Sequence, residues 1–243
     1  MTDNPLLEVR NLTKRYRSLT AVSDVSFSVR QGEILGLIGP NGSGKTTLFE
    51  CLGGALPADS GTVLLKGRTT TTDDRKSALF YLPDAITPWP AQSLRWALEF
   101  CLGLFGGRHD LRDEIVRSLD LQALLNQRMG ALSKGQRKRA LLAIGLLMPQ
   151  PLLIADEPFE GLDLRQTRDI AHALRSFAGV NRTMLLSIHQ IADAARVCDR
   201  FVLLSAGRVC GEGTLRELSN IAGERRGKAT LTADLEEVFL ALT

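Results

Sequence analysis

Aromatic side chains and net charge are both scarce in this sequence. Phe, Trp and Tyr make up 5% of its 243 residues, and 30 Lys and Arg against 27 Asp and Glu leave a net charge of +3. A charge balance this close to zero does not indicate a nucleic-acid-binding surface. We therefore expect no nucleic acid among the partners of this chain.

The sequence also has few cysteines and no long hydrophobic run. Its four cysteines are far apart and never in C-x-x-C spacing, which excludes the usual zinc and disulfide frameworks. The longest apolar run, residues 140–148, is about half of the ~20 residues that a membrane-spanning helix needs. The first residues lack the basic-then-apolar order of a signal peptide. We expect a cytosolic protein that can still dock on a membrane protein.

Two kinds of strand are predicted near the start of the chain. Residues 7–10 and 25–29 alternate polar and apolar side chains, as antiparallel strands with one exposed face do, whereas residues 34–38 are apolar, as in a buried parallel strand. Strand and helix patterns alternate further on, but residues 87–148 show helical spacing only. The pattern predicts one α/β domain over 1–243, with its core in about 1–86 and 149–243 and a helical insertion in about 87–148.

The strongest motif is a glycine-rich loop between the strand predicted at 34–38 and a predicted helix. Its pattern, G-x-x-x-x-G-K-[ST], lets backbone N–H groups and the start of the helix surround phosphate oxygens. Lys45 is expected to reach the β- and γ-phosphates, and the Thr46 hydroxyl to bind Mg²⁺. The nucleotide-binding residues predicted here are Gly39, Pro40, Asn41, Gly42, Ser43, Gly44, Lys45, Thr46 and Thr47.

Two adjacent acids follow the apolar strand predicted at 152–155. Asp156 is expected to hold a water molecule on Mg²⁺, while Glu157 polarises the water that attacks the γ-phosphate. The alternative for an isolated Asp-Glu pair is an acidic strand end that caps the next helix. The glycine-rich loop in the same chain favours the catalytic interpretation.

The segment Leu132-Ser133-Lys134-Gly135-Gln136 resembles the L-S-G-G-Q signature of ATP-binding-cassette (ABC) ATPases, with Lys134 in place of a glycine. By itself it is an ordinary capped basic helix, in which Ser133 is the N-cap and Lys138 and Arg139 follow on the same helix. In the family, the signature covers the γ-phosphate bound by the opposite subunit. The resemblance implies that Ser133, Gly135 and Gln136 bind ATP in a head-to-tail pair.

The resemblance extends over most of the chain and implies a P-loop NTPase (RecA-like) core with an N-terminal antiparallel β subdomain and an inserted α-helical subdomain. Tyr16 lies where the family places an aromatic residue that stacks on adenine; the alternative is a tyrosine at a strand end that packs on the core. His189 resembles the switch histidine that contacts the γ-phosphate. Asp163 resembles the D-loop and also fits a helix N-cap.

Asp84 departs from the family pattern, which has a glutamine here that reaches Mg²⁺ and the attacking water. A carboxylate is a stronger metal ligand, so Asp84 joins Thr46 and Asp156 as a predicted metal ligand. It also adds negative charge beside the γ-phosphate and Glu157, which could slow turnover or alter coupling.

Residues 235–242 resemble the ending of ATPase subunits of ABC-2-type exporters, and an amphipathic terminal helix would give the same pattern. The resemblance implies an ATP- and Mg²⁺-dependent ATPase at the cytoplasmic side of the cell membrane. Its implied partners are a second ABC ATPase subunit and separate transmembrane permease subunits, which would dock on residues 86–96 around Trp89. The alternatives are an importer subunit, an ATPase of a soluble machine, and a weakly catalytic half of an asymmetric pair.

Overall fold

The computed structural model describes residues 5–84, 86–179, 182–226 and 234–243 of the chain. Its strands are β1 (Leu7–Tyr16), β2 (Leu19–Val29), β3 (Ile34–Ile38), β4 (Ser60–Leu65), β5 (Arg68–Thr69), β6 (Leu79–Leu82), β7 (Leu152–Ala155), β8 (Thr183–Ile188), β9 (Arg200–Ser205) and β10 (Arg208–Gly213). Its helices are α1 (Lys45–Gly53), α2 (Thr72–Ala78), α3 (Leu94–Phe105), α4 (Arg112–Ser118), α5 (Lys134–Leu147), α6 (Leu164–Phe177), α7 (Ile191–Val197), α8 (Leu215–Arg226) and α9 (Leu235–Leu242). Within the described ranges, no helix is both long and apolar enough to cross a membrane.

Antiparallel and parallel pairing are separated into two sheets. Strands β2, β1, β4 and β5 lie in that order in an antiparallel sheet. The second sheet has the order β10-β9-β3-β8-β7-β6 and is parallel except for the pair of β9 and β10. Strand β3 lies between β8 and β9, and all of its residues are buried. The prediction of a parallel strand buried on both faces is therefore confirmed.

The parallel sheet separates two hydrophobic cores, because alternate side chains of a strand point to opposite faces. In β3, Ile34 and Ile38 belong to the core that contains the residues of α3, α4 and α5. Leu35 and Leu37 of the same strand pack in the core that contains the antiparallel sheet and α1. The sheet is thus covered on both faces, which explains why β3, β7 and β8 are buried along their whole length.

The segment with helical spacing contains α3, α4 and α5, and both α3 and α4 pack on α5. On α3, Leu94, Leu98 and Leu102 are buried together, as their spacing predicts. The last helix, α9, likewise buries Leu235 and Val238 against the domain. Its amphipathic pattern is therefore satisfied by packing within the chain.

Two helices lie outside the predicted elements, and each begins with a side-chain cap. Thr71 and Asp74 form a reciprocal capping box at the start of α2. Before α8, the backbone N–H and the hydroxyl of Thr214 both donate to the Glu217 carboxylate. Such Thr-x-x-acid sequences are a recognised signal for a helix start, so both helices could have been predicted.

Candidate active site

The carboxyl ends of four neighbouring parallel strands bring the predicted site residues to one edge of the sheet. The glycine-rich loop leaves β3 at Gly39, His189 follows β8, Asp156 and Glu157 follow β7, and Asp84 lies just beyond β6. These strands are adjacent in the order β3-β8-β7-β6. Ligands of parallel α/β sheets bind outside the carboxyl ends of the strands, and this edge therefore carries the candidate site.

The glycine-rich loop surrounds the ammonium group of its own lysine. Lys45 Nζ donates to the carbonyl oxygens of Gly39 at 2.9 Å and of Pro40 at 3.3 Å, and it lies 3.5 Å from Oε1 of Glu157. Only 5% of Lys45 is exposed. The ammonium group is thus held between the loop and the acid that follows β7, facing the space in which phosphate oxygens would replace these acceptors.

Close approach of backbone to backbone explains two of the loop glycines. Gly44 has φ 103°, and a Cβ atom there would lie 2.3 Å from the carbonyl oxygen of Ala21 in β2. A Cβ atom on Gly39 would lie 2.3 Å from the carbonyl oxygen of Leu204. Beside them, the Ser43 hydroxyl is buried without a hydrogen-bond partner, which is unusual for a buried polar group. A narrow backbone cradle with an unsatisfied hydroxyl fits a phosphate group.

The remaining loop residues lie on the open side of the cradle. Pro40, Asn41 and Gly42 are exposed at the tip, Thr46 is exposed, and Thr47 is half-buried in the first turn of α1. Of these loop residues, Asn41 and Thr46 line the cavity described below.

A buried serine connects the two acids that follow β7. Ser187 of β8 donates to Oδ1 of Asp156, and its Oγ accepts the backbone N–H of Glu157 at 2.8 Å. Thr46 Oγ1 donates to the other oxygen of Asp156 at 2.8 Å. Glu157 has φ 49°, a left-handed conformation that is rare for a residue with a side chain. Ser187 is not among the predicted site residues, because a single hydroxyl in an apolar stretch of sequence does not indicate a functional role.

The ligand set at this point suits magnesium better than a softer metal. Among the described residues, no group of three or more His, Cys, Asp or Glu side chains could hold a metal ion. One hydroxyl and one carboxylate, Thr46 and Asp156, are adjacent. Mg²⁺ commonly binds one or two carboxylates and completes its coordination shell with water and substrate phosphates. Thr46 and Asp156 match this preference.

A cavity of about 430 Å³ opens beside the cradle. Its lining includes Thr46, Asp84, Asp156, Glu157 and His189, so the structure brings together the predicted metal ligands and both predicted catalytic residues. His189 is exposed to the cavity.

The signature-like segment forms the start of α5, next to Glu160 and Gly161 of the cavity lining. Ser133 caps the helix by accepting the backbone N–H of Gln136, whose side chain in turn binds the backbone N–H of Ser133. Lys134 pairs with Glu160 at 2.6 Å, and this hydrogen bond raises the pKa of the lysine, which keeps it cationic. Gly135 is half-buried against the loop at Gly161. None of residues 133–136 is among the described residues that line the cavity.

The two basic residues that follow the signature do not face a phosphate site. Arg139 donates to the carbonyl oxygens of Leu119 and Asp120 and pairs with the Asp120 carboxylate. Lys138 is buried, pairs with Asp84, and donates to the carbonyl oxygen of Asp156 at 3.2 Å. Internal partners therefore satisfy both residues.

Two residues carried over from the resemblance lie at the periphery. Tyr16 ends β1 with 43% of its surface exposed, and Lys14 Nζ lies 5.8 Å from its ring centroid, so the ring is open to a stacking partner. Asp163 caps α6 by accepting the backbone N–H of Gln166 at 2.8 Å, which confirms its N-cap interpretation.

Known proteins similar to this chain show the family to which it belongs. Residues 22–160 match the family described as ABC transporter. The SkfA peptide export ATP-binding protein SkfE of Bacillus subtilis (strain 168) is 31% identical over 208 residues, which cover 84% of this chain and 87% of that protein. The lipopolysaccharide export system ATP-binding protein LptB of Acidithiobacillus ferridurans is 30% identical over 221 residues, covering 88% of this chain and 92% of that protein.

A solved ATP-binding subunit of an ABC transporter superposes with a TM-score of 0.83 at 27% identity and covers 98% of this chain and 99% of its own. This likeness confirms the predicted P-loop NTPase core with its antiparallel β subdomain and helical insertion. The chain belongs to the ABC transporter family and is an ATP-binding and ATP-hydrolysing subunit.

Proposed function

We propose that two chains clamp two Mg·ATP between them, head to tail, and that their closure drives export through separate membrane subunits. Each ATP lies between residues 39–46 of one chain and residues 133–136 of a second copy. The chain works at the cytoplasmic face of the membrane, where its permease partners hold it. The relatives SkfE and LptB are both named for export, which supports the outward direction.

The observation that carries this proposal is the separation of the two halves of the site. The cavity beside the cradle is lined by the acids and by His189, whereas Ser133 and Gln136 lie on the surface at the start of α5. The start of α5, which Ser133 caps, can present backbone N–H groups to an anion, and the cradle of another chain can supply a bound phosphate. A second molecule placed head to tail completes both.

Hydrolysis follows from the residues at the strand ends. Glu157, held by Ser187, accepts a proton from the attacking water and orients it. Lys45 leaves the loop carbonyls to bind the β- and γ-phosphates, and His189 donates to the γ-phosphate. Thr46 and Asp156 would hold Mg²⁺, which would supply charge neutralisation for the phosphate oxygens. Tyr16 stacks on the adenine ring.

An exposed aromatic cluster supports docking on a membrane subunit. Trp96 and Phe100 of α3 stack with ring centroids 4.8 Å apart and an interplanar angle of 9°, and Trp89 lies edge-on at 5.3 Å from Phe100. All three are more than a third exposed. Aromatic anchors of this kind dominate binding at protein interfaces, and this cluster directly follows the segment at Asp84.

The catalytic part of the proposal is tested by the ATPase rate of the purified protein. Glu157→Gln keeps the size of the side chain and removes the base, so hydrolysis should fall by a factor of about 100 or more. Glu224→Gln, an exposed acid on α8, is the matched control and should keep the wild-type rate. If wild type and Glu157→Gln were equally inactive, the chain would be a regulatory half of an asymmetric pair.

The docking surface is tested by co-purification in detergent with the membrane subunit. Trp89→Ala should abolish co-purification and leave the ATPase activity of the isolated chain intact. Leu240→Ala removes an apolar residue of α9 that is more exposed than Trp89, 66% against 37%, and this variant should co-purify normally. Unchanged co-purification of Trp89→Ala would contradict the assignment of this surface.

A further inference from the structure

The acid that departs from the family pattern has a partner in the signature helix. Lys138 Nζ forms an ion pair with Oδ1 of Asp84, and it also donates to the backbone carbonyl of Asp156 at 3.2 Å. The side chain of Lys138 is only 7% exposed, whereas that of Asp84 is 33% exposed. One ammonium group therefore connects the segment after β6 with the predicted magnesium ligand after β7.

The position of this pair next to the phosphate site makes its charge important. Asp84 lines the same cavity as Asp156, Glu157 and Glu160. Glu157 lies 3.5 Å from Lys45 and Glu160 pairs with Lys134, whereas an unpaired Asp84 carboxylate would repel the γ-phosphate, because like charges in a partly buried site raise each other's energy. Lys138 cancels that charge from the wall of the cavity.

Lys138 in turn depends on Asp84, because Lys138 is buried. A lysine as enclosed as Lys138 is costly unless an acid pairs with it. Within the described chain, its recorded partners are the Asp84 carboxylate and the Asp156 carbonyl. The Lys138 ammonium group and the Asp84 carboxylate are therefore each other's counter-ion.

We infer that Lys138 is a positioning residue that acts through Asp84: it neutralises this carboxylate and holds it against the cavity wall, so that Mg·ATP can bind. The inference rests on the proposed nucleotide site and adds a residue to it. It also assigns Asp84 a structural partner in place of the role of metal ligand.

Arg137 makes it possible to distinguish neutralisation of Asp84 by Lys138 from a general attraction of ATP by basic residues of α5. Arg137 precedes Lys138 on α5 and is half-buried, but its guanidinium donates to the Thr87 hydroxyl and to the carbonyl oxygen of Leu132. Among the described residues, Arg137 pairs with no carboxylate. Arg137→Gln is therefore a matched control that removes an adjacent positive charge without exposing an acid.

The test is a cycle of nucleotide affinities, measured with a fluorescent ATP analogue and Mg²⁺ on the full chain. Lys138→Gln should raise the Kd about tenfold in the wild-type background, and less than about threefold in an Asp84→Asn background, where no acid is left to neutralise. Arg137→Gln should change the Kd by less than about threefold. Lys138→Arg keeps the charge and should bind nearly as wild type, which also covers the case in which Lys138→Gln does not fold.

Several results would overturn the inference. They are an equal loss of affinity for Lys138→Gln in both backgrounds, an equal loss for Arg137→Gln, a tenfold loss for Lys138→Arg, and a lower melting temperature of Lys138→Gln with unchanged Kd. The last result would leave the pair a purely structural contact. Failure of the wild-type chain to bind the analogue would instead overturn the proposed function, so the two failures are distinguishable.

Discussion

The Thr46 hydroxyl donates a hydrogen bond of 2.8 Å to the Asp156 carboxylate, although 110 positions separate the two residues in the chain. Adjacent parallel strands make this contact possible, because β3 and β7 both flank β8 and end at the same edge of the sheet. Ser187 at the end of β8 binds the other oxygen of Asp156. The predicted magnesium ligands Thr46 and Asp156 and the predicted catalytic base Glu157 are therefore positioned as one hydrogen-bonded unit.

Ser187→Ala should lower kcat with little change in KM for ATP. The substitution removes the hydroxyl that holds Asp156 and the acceptor for the Glu157 N–H, but it leaves the phosphate loop intact. We expect a loss in kcat of roughly tenfold to a hundredfold, because the base is misplaced. Ser176→Ala, whose hydroxyl binds only the carbonyl of Ala173 in α6, is the control in steady-state ATPase assays. A larger change in KM than in kcat would assign Ser187 to binding instead.

Gly44→Ala should abolish nucleotide binding. The new Cβ atom would lie 2.3 Å from the Ala21 carbonyl oxygen, at a φ of 103° that disfavours a side chain, so the loop must move. Gly42→Ala is the informative comparison, since φ is also positive but the space around it is open. It should cost only about 1 kcal/mol of backbone strain. Equal Kd values for the two variants in a fluorescence titration would contradict this explanation of the cradle.

Arg182→Met should destabilise the fold without touching the active site. Arg182 donates to the carbonyl oxygens of Gly145, Met148 and Gln150 at the end of α5, and burial lowers its pKa to about 10. Removing these donors from buried carbonyls should lower the free energy of unfolding by roughly 3 kcal/mol. Urea denaturation measures this free energy. In the same experiment, Arg175→Met, which breaks an exposed ion pair with Asp199, should lower the free energy of unfolding by less than about 1 kcal/mol. Similar losses for both would show that burial of Arg182 is unimportant.

Thiol labelling should distinguish Cys210 from the other three cysteines. Burial raises the pKa of Cys51 and Cys101 to about 11, so at pH 8 only about one thiol in a thousand is ionised. Burial also raises the pKa of Cys198. Cys210 is half-buried at the surface and should react with a disulfide reagent in the native protein, whereas the others react only after unfolding. Labelling of Cys51 or Cys101 should quicken as the pH rises towards 11, and fast labelling of either at pH 8 would contradict their burial.

The sequence predicts well those parts of the fold that depend on residues close together in the chain. The strand at 34–38 and the glycine-rich loop are local patterns, and the structure has both where they are expected. The partners of Asp84 and Asp156 could not be predicted, because Lys138 and Ser187 reach them from other elements. Lys138 reads as an ordinary basic residue after the signature, and only the packing of α5 against the end of β6 shows that it is buried and paired.

The division of one ATP site between two molecules is tested most directly by ATP hydrolysis in a mixture of two inactive variants. Lys45→Ala inactivates the glycine-rich loop, and Ser133→Arg blocks the signature-like helix start. Each purified variant should hydrolyse no ATP alone, although it folds and has a melting temperature close to that of the wild type. In an equal mixture, mixed dimers contain one intact site, and roughly a quarter of the wild-type rate should return. Full activity of Ser133→Arg alone, or no recovery on mixing, would contradict the shared site.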